Sequence, residues 1–232
     1  MQNIGLGLLW FAAFTVSATF HEAAHGLAAL KLGDPTARDA GLVTLDPVAH
    51  MQRSPVGMIV VPIVTFLMGG WMMGWASTPF DPYWAHENRR SAALMALAGP
   101  AANLALILVA AIVVRIGMAF GIFAAPETAN FQQITFAPGG GIAQGAATLV
   151  SIVLSLNLIL MIFNLLPLPP LDGSEIATLW LSDAAAERYR ALLRQPGMQM
   201  IGLIVAWNVM GYLVGPTQRL ALNLLYPGAA YG

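Results

Sequence analysis

Long apolar stretches separated by short polar ones dominate the sequence of 232 residues. A helix that spans a lipid bilayer needs about 20 mostly apolar residues. Four stretches are long enough, namely residues 4–30, 92–120, about 142–166, and 198–215 or slightly beyond. The pattern therefore predicts an all-α polytopic membrane protein with about four full transmembrane helices.

A fifth apolar stretch, residues 56–76, differs from the other four. It contains Pro62, the pair Gly69 and Gly70, and Gly74. Prolines and glycines within an apolar segment often mark helices that break or that return to the face from which they entered. We therefore expect a re-entrant or broken membrane segment here. Short β elements are expected as well, because residues 41–46 alternate in the manner of a strand.

The distribution of positive charge supports the re-entrant interpretation. If residues 56–76 crossed the membrane once, the C-terminal ends of segments 4–30 and 142–166 would lie on opposite faces. If the segment returns, both ends share one face with eight of the ten lysines and arginines. These eight are Lys31, Arg38, Arg53, Arg89, Arg90, Arg188, Arg190 and Arg194, whereas Arg115 and Arg219 lie elsewhere. The positive-inside rule identifies the shared face as cytoplasmic.

Composition narrows the class of protein. Charged residues make up 9% of the chain and hydrophobic ones 58%, with a mean hydropathy of +0.71. A soluble globular chain carries about 25% charged residues, so the lipid bilayer is the expected surroundings. The net charge of −1 argues against a nucleic-acid partner. Because the chain has no cysteine, a metal ion must be held by histidine and carboxylate side chains.

The chain is expected to form one domain. Met1, Gln2 and Asn3 carry no positive charge, unlike the start of a signal peptide, so we expect the first apolar run to be a retained helix. The prediction is a single transmembrane domain over residues 1–232, with a catalytic core at about 4–180 and an accessory helix at 198–220.

The first apolar stretch contains the motif His21-Glu22-Ala-Ala-His25. On a helix, histidines four positions apart share one face and can both bind one Zn²⁺. Glu22 then projects beside His25, where its carboxylate can take a proton from an attacking water. The alternative is a polar helix turn buried by neighbouring helices. In that case the neighbouring helices must supply hydrogen-bond partners for two imidazoles and a carboxylate, which lie in a helix otherwise made of Ala, Leu, Phe and Gly.

A second polar constellation follows the stretch 142–166. Residues 164–173 read Asn-Leu-Leu-Pro-Leu-Pro-Pro-Leu-Asp-Gly, and three prolines in four residues cannot continue a regular helix. The unwound stretch delivers the carboxylate of Asp172. Catalytic zinc typically has three protein ligands and one open position, and two histidines with a carboxylate are a standard set. In the alternative, Asp172 only caps a helix that begins at Ser174.

Other polar residues are candidates for supporting roles. Asn164 either donates a hydrogen bond to a developing oxyanion or joins two helices. Asn103 is expected to be an interhelical hydrogen-bond donor, with a part in substrate gating as the alternative. For His50 the simple interpretation is a solvated loop histidine, and the alternatives are gating or an extra metal contact. Glu175 and His86 are expected to have no role in the site.

Three motifs together resemble the site-2 protease family of intramembrane zinc metalloproteases. They are His21-Glu-Ala-Ala-His25, Ala98-Gly-Pro-Ala-Ala-Asn103 and Asn164-Leu-Leu-Pro-Leu-Pro-Pro-Leu-Asp172-Gly173. Their order and spacing match over residues 15–180, about 70% of the chain. The similarity is greatest to short prokaryotic members that have neither a PDZ nor a CBS domain. The resemblance implies His21, His25 and Asp172 as Zn²⁺ ligands, Glu22 as general base, and Asn164 as a residue that assists at the scissile carbonyl.

The sequence departs from the family pattern outside this set. Asp46 replaces the usual Asn, the stretch after His50 is two residues longer than expected, and Ser174 stands where a second Gly is common. None of these changes touches the implied catalytic residues, but the longer loop leaves the role of His50 open.

Two functions of different classes follow from the sequence. The first is zinc-dependent hydrolysis of a peptide bond within or near the transmembrane segment of a single-span membrane protein. It would take place in a prokaryotic plasma membrane with the site toward the cytoplasm, and the His50 loop and residues 56–76 would gate substrate entry. The second is a non-catalytic membrane protein that binds zinc in a closed site, with His50 as the fourth ligand.

Overall fold

The computed structural model describes residues 3–229 and residue 231 of the chain, and it is mainly helical. In chain order the helices are α1 (Ile4–Lys31), α2 (Thr36–Asp39), α3 (Pro47–Arg53), α4 (Val61–Gly69), α5 (Pro82–Glu87), α6 (Arg89–Ala119), α7 (Gly141–Leu165), α8 (Asp172–Ile176), α9 (Asp183–Leu193) and α10 (Met198–Leu225). A π-helical turn, Val56–Val60, leads directly into α4, and a 3₁₀ turn, Ala177–Trp180, follows α8. The helices α1, α6, α7 and α10 are long and apolar enough to cross a membrane, in agreement with the four predicted stretches.

Helices α1, α6 and α7 pack against one another and form the centre of the molecule. On one side, Trp10 and Phe14 of α1 pack with Ile152 of α7. On another side, Val114 of α6 packs with Leu154 of α7. Helices surrounded by lipid gain little from burying apolar surface against each other, so close packing and hydrogen bonds between helices hold such a bundle together.

Residues 56–81 form a hairpin against α1. The helical arm ends at Gly70, whose positive φ of 75° lets the chain turn into an extended arm. The tip lies at the far end of the bundle, because Phe66 packs against Gly7 near the start of α1. The extended arm returns to the end where it began, since the Asp81 amide donates to Asp34 in the loop after α1 (2.8 Å). The structure is consistent with the predicted re-entrant segment.

Two glycines allow the arms of the hairpin to touch. A Cβ atom added to Gly74 would lie 2.2 Å from the carbonyl oxygen of Gly57. The next amide, Trp75 N–H, donates to that same oxygen at 3.1 Å. Glycine therefore permits a backbone approach that any side chain would block.

The strand predicted at residues 41–46 is wrong, because this segment consists of bends and turns. Local hydrogen bonds occupy its backbone instead. Leu42 N–H donates to Ala37 O (2.9 Å), and Asp46 N–H donates to the hydroxyl of Thr44 (3.1 Å). Asp46 then caps α3 by accepting from Val48 N–H (2.9 Å). Within residues 3–229 and 231, extended pairing is limited to two isolated bridges between residues 124 and 136.

Helix α10 continues to Leu225, five residues beyond the predicted accessory helix at 198–220, and lies beside α7. It passes through Pro216, which a transmembrane helix tolerates when nearby groups satisfy the freed backbone. Near its start, Gly202 lies directly against the carbonyl oxygen of Pro169, so α10 braces the proline-rich stretch.

Candidate metal centre

The predicted metal ligands meet at one point beside α6. Helix α1 runs unbroken through the motif, which places the Nε2 atoms of His21 and His25 3.0 Å apart. Asp172 opens α8, and its Oδ2 lies 3.2 Å from Nε2 of His21 and 3.4 Å from Nε2 of His25. In the part of the chain that the structure describes, this is the one group of three or more such side chains arranged to hold a metal ion.

The second nitrogen of each imidazole is held by α6. Nδ1 of His25 lies 2.8 Å from the carbonyl oxygen of Met95, and Nδ1 of His21 lies 2.7 Å from Oδ1 of Asn103. A backbone carbonyl only accepts, so Nδ1 of His25 carries the proton and its Nε2 presents a lone pair. Metal-binding histidines are typically oriented by a hydrogen bond of this kind.

The Asp172 carboxylate lies beside the two imidazoles, with its Oδ2 facing both Nε2 atoms. Its Oδ2 is nevertheless buried without a hydrogen-bond partner. Such an orphaned anionic oxygen, facing two imidazole nitrogens, is what a bound cation would satisfy.

The donor set fits Zn²⁺. Three donors bound tetrahedrally at about 2.0–2.2 Å from zinc are separated from one another by about 3.3–3.6 Å. The three donor–donor distances are 3.0, 3.2 and 3.4 Å. Two imidazole nitrogens and a carboxylate are also the ligand types expected of a catalytic zinc site.

Gly99 of α6 leaves the space in which the donors converge. A Cβ atom at this position would lie 2.4 Å from Nε2 of His25 and 2.5 Å from Nε2 of His21. The helix backbone therefore passes directly over the two nitrogens that face the metal position. Any side chain larger than hydrogen would displace the imidazoles or fill the site.

Glu22 is buried next to the ligands, and it lies close enough to His25 for direct electrostatic interaction. The extended arm of the hairpin passes the same turn of α1. There the hydroxyl of Thr78 donates to the backbone carbonyl of Glu22 at 2.9 Å. The hairpin thus contacts, through the backbone, the residue predicted to act as general base.

Asn164 is half-buried at the end of α7, and its amide donates to Leu160 O one turn earlier (3.1 Å). An amide nitrogen has two N–H bonds, so this contact leaves a second donor for a substrate. Asn103, by contrast, is completely buried and bonds both His21 and Asn157 (Nδ2 to Oδ1, 2.8 Å). A position in the bundle interior argues against Asn103 as a gating residue.

His50 is neither a solvated loop residue nor a metal ligand. It lies in α3 with 1% of its surface exposed, and its Nε2 bonds Thr44 O at 3.0 Å. This bond occupies one imidazole nitrogen and leaves only Nδ1 of His50 for a metal ion. Within residues 3–229 and 231, no other His, Asp or Glu joins His21, His25 and Asp172, so the closed site predicted as the alternative lacks its fourth ligand.

Several supporting residues were missed from the sequence. Met95 contributes only a backbone atom, so no sequence signal could identify it. Ser17 and Asn157, both completely buried, form a hydrogen-bonded chain that ends at His21. A signal for these two did exist, since Ser17 lies one helical turn before His21 and Asn157 is an isolated amide in an apolar helix.

Four long apolar helices around a helix-borne metal centre define an integral membrane protein with a candidate hydrolytic site. Comparison with known sequences identifies its family. Residues 9–207 match the profile of Peptidase family M50, and the chain belongs to that family. This confirms the resemblance to the site-2 proteases.

Curated relatives match across most of the chain. It is 35% identical over 162 residues to "Putative zinc metalloprotease YwhC" of Bacillus subtilis, which covers 69% of this chain and 64% of that protein. It is 26% identical over 173 residues to "Putative zinc metalloprotease Rip2" of Mycolicibacterium smegmatis, covering 75% and 57% of the two chains. It is 27% identical over 169 residues to "Putative zinc metalloprotease Rip2" of Mycobacterium tuberculosis, and the match covers 73% of this chain and 56% of that protein. The chain thus spans less than two thirds of the length of these relatives, and no solved structure matches it.

Proposed function

We propose that this protein is an intramembrane zinc metalloprotease that hydrolyses a peptide bond within or near the transmembrane segment of a membrane protein. The observation that carries the proposal is the meeting of His21, His25 and Asp172 beside Glu22, where both histidines and Glu22 lie on a helix that is apolar enough to cross a bilayer. The names of the curated relatives support zinc as the metal and proteolysis as the activity.

The chain supplies a base, ligands and a route for protons. Zn²⁺ held by the two imidazoles and Asp172 would polarise the scissile carbonyl and lower the pKa of a water at its open position. Glu22 would accept the proton of the attacking water and then deliver it to the leaving amine nitrogen. Asn164 would donate its second N–H to the carbonyl oxygen as negative charge develops there. The partial exposure of Asp172 provides a side from which water can enter.

The substrate class follows from the geometry of attack. A hydrogen-bonded helix shields its carbonyl groups, so a transmembrane substrate must unwind where it is cut. The extended arm of the hairpin supports this step, because it passes Glu22 with Thr78 in contact. Within residues 3–229 and 231, the backbone groups of Ala76, Ser77 and Thr78 form no hydrogen bonds. These groups are free to pair with an unwound substrate strand by β-addition.

The proposal also places the site toward the cytoplasm. The ends of α1 and α7 near the metal centre share their face with most of the positive charges, which supports this orientation. Because the chain has no cysteine, single cysteines can test it. Ala184→Cys in α9 should react with a membrane-impermeant maleimide from the cytoplasmic side, and Thr128→Cys in the loop between α6 and α7 only from the other side. The reverse pattern would overturn the orientation.

The activity is tested with purified protein in detergent and a panel of single-span segments that carry a helix-destabilising residue at mid-span. Mass spectrometry should locate a cut within or next to the apolar segment for the wild type. Glu22→Gln should abolish the cut while leaving bound zinc in place. Removal of zinc by a chelator should also abolish the cut. Glu127→Gln, an exposed acid in the loop between α6 and α7, is the matched control and should cleave normally. Equal cleavage by Glu22→Gln and wild type would refute the mechanism.

A further inference from the structure

We propose that Ser17 and Asn157 are positioning residues that select the tautomer of His21, acting through Asn103. The inference rests on the metal site of the proposed function and deepens it. It concerns which nitrogen of His21 carries the proton, and therefore which one presents a lone pair to the metal.

A continuous chain of hydrogen bonds connects these residues. Nδ1 of His21 bonds Oδ1 of Asn103 (2.7 Å), and Nδ2 of Asn103 bonds Oδ1 of Asn157 (2.8 Å). Nδ2 of Asn157 contacts both the hydroxyl of Ser17 and Val153 O, each at 2.8 Å. The Ser17 hydroxyl in turn contacts Ala13 O at 2.7 Å. This series of hydrogen bonds therefore links α1, α6 and α7, and it terminates at two backbone carbonyls, Ala13 O in α1 and Val153 O in α7.

Those two carbonyls determine the direction of every bond. A backbone carbonyl can only accept, so Ser17 must give its single hydroxyl proton to Ala13 O. Ser17 can then only accept from Asn157, and Asn157 must donate its other N–H to Val153 O. Both amide protons of Asn157 are used, so its oxygen accepts from Asn103.

The same logic reaches the metal ligand. Because Asn103 donates to Asn157, its amide nitrogen points away from His21 and its oxygen points toward it. Nδ1 of His21 must then be the protonated nitrogen, and Nε2 keeps its lone pair toward His25 and Asp172. Without Asn157, the Asn103 amide could rotate by half a turn and present N–H to His21. That orientation favours the tautomer whose Nε2 carries the proton and cannot bind a metal ion.

Burial allows this series of hydrogen bonds to determine the orientation of each member. Ser17, Asn103 and Asn157 are each 0% exposed, so water cannot substitute for a missing partner. A buried polar group left without a partner is destabilising, which penalises the wrong orientation of each member. His25 needs no such chain, because Met95 O alone determines its tautomer.

The test is zinc affinity measured by chelator competition on purified full-length protein. Substitution of partners that orient a metal ligand typically weakens binding by about 10- to 100-fold. We expect Asn157→Leu to fall in that range and Ser17→Ala to lose several-fold. The decisive variant is the double substitution Asn157→Leu/Asn103→Asp. Both oxygens of the new carboxylate accept, so this side chain cannot present a donor to His21. Zinc affinity should therefore return toward the wild-type value, although the hydrogen bonds to residue 157 remain broken.

Matched controls come from hydroxyls in the same two helices. Thr19 in α1 and Ser155 in α7 are buried, and their hydroxyls have no hydrogen-bond partner. Thr19→Val and Ser155→Ala should leave zinc affinity unchanged. If Asn157→Leu does not accumulate, the comparison of Ser17→Ala with Ser17→Ala/Asn103→Asp makes the same test with a smaller change.

Nitrogen NMR of metal-free protein labelled with ¹⁵N-histidine reads the tautomer directly. The chain has only four histidines, which simplifies assignment. At a pH where both imidazoles are neutral, His21 should carry its proton on Nδ1 in the wild type, and Asn157→Leu should shift it toward Nε2. A wild-type His21 protonated on Nε2 would overturn the inference, and so would a double variant that binds zinc no better than Asn157→Leu. Failure of the wild type to bind zinc would instead refute the proposed function, and the NMR result would still decide the tautomer.

Discussion

The two segments that supply the predicted metal ligands are held in place by different means. His21 and His25 lie within a 28-residue helix, and each is oriented by a hydrogen bond from its second nitrogen to α6. Asp172 begins a five-residue helix after the proline-rich stretch, and its Oδ2 has no hydrogen-bond partner. Its position depends on the packing of neighbouring residues, including Gly173 against the end of α7 and Glu175 against Arg190.

The difference teaches how a site of this kind can be both rigid and accessible. A continuous helix sets the spacing of two ligands without help from the rest of the fold. The third ligand needs a chain that leaves its helix and turns back, which prolines allow and which exposes backbone to water. We therefore expect changes in α6 to affect the site through His21 and His25. Changes in the packing around α8 should affect it through Asp172.

The largest effect is expected from Gly99→Ala, which acts on the histidine side. The added methyl group would lie within about 2.5 Å of both Nε2 atoms, so zinc affinity should fall by more than about 100-fold, beyond the usual effect of supporting residues. Zinc content after purification and chelator competition are the measurements. Gly211→Ala in α10, where a methyl group has open space, should bind normally. A Gly99→Ala protein with wild-type affinity would show that α6 does not lie over the ligands.

The next largest effect should come from Gly173→Ala, on the Asp172 side. A methyl group there would lie 2.2 Å from Leu166 O, so α8 must shift and carry Asp172 with it. The histidines stay in place, and we expect zinc affinity to drop by about 10- to 100-fold. Visible spectra of the Co²⁺-substituted protein should change, because they report ligand geometry. Gly145→Ala, which meets nothing within 4 Å, serves as the control, and unchanged spectra for Gly173→Ala would contradict the prediction.

A smaller effect is expected from the ion pair that braces α8. Arg190 contacts Glu175 with 11% and 28% of their side chains exposed, so the pair is mostly buried. Arg190→Gln should lower the free energy of unfolding by about 1–3 kcal/mol and weaken zinc binding by a few-fold. The charge exchange Glu175→Arg/Arg190→Glu should recover part of the loss.

The solvated pair Arg194–Glu187 is the control for this ion pair. Its side chains are 61% and 54% exposed, and exposed pairs contribute at most about 1 kcal/mol. Arg194→Gln should therefore change thermal unfolding little. Equal effects of Arg190→Gln and Arg194→Gln would mean that the bracing contact contributes no more than an ordinary surface pair.

The smallest effect concerns Asp34, which joins the end of α1 to the hairpin rather than to the ligands. Burial opposes its charge, but hydrogen bonds from Thr36 and Asp81 outweigh burial and hold the pKa of Asp34 below its ordinary value. A lowered folded-state pKa means that the stabilisation is present above the ordinary carboxyl pKa and is lost as the pH falls through the folded one.

This pH dependence can be measured with metal-free protein. The unfolding temperature of Asp34→Asn should lie below that of wild type at neutral pH, and the difference should shrink in acid. Asp39→Asn, which changes an exposed carboxylate, should follow the wild-type pH profile. A gap between Asp34→Asn and wild type that stays constant with pH would exclude ionisation of Asp34 as the cause.

The predictable features were those encoded by local pattern. The four long helices follow from the length of apolar runs, and the common face of His21 and His25 follows from helical periodicity. The strand expected at 41–46 failed because Thr44 and Asp46 hold the backbone in turns through their side chains. His50 was misjudged because a polar neighbourhood in sequence does not report burial in the fold.

By itself, then, the sequence determined the membrane character of the chain, the facing histidines, the candidate general base and the candidate third ligand. Each of these depends on residue types at short spacings along one helix or one turn. Only the tertiary structure decided that Gly99 leaves room for a metal ion, that Met95 and Asn103 orient the imidazoles, and that Ser17 and Asn157 stand behind Asn103. These roles arise from contacts between residues 54 to 140 positions apart, and the direction of a hydrogen bond exists only once its partner is in place.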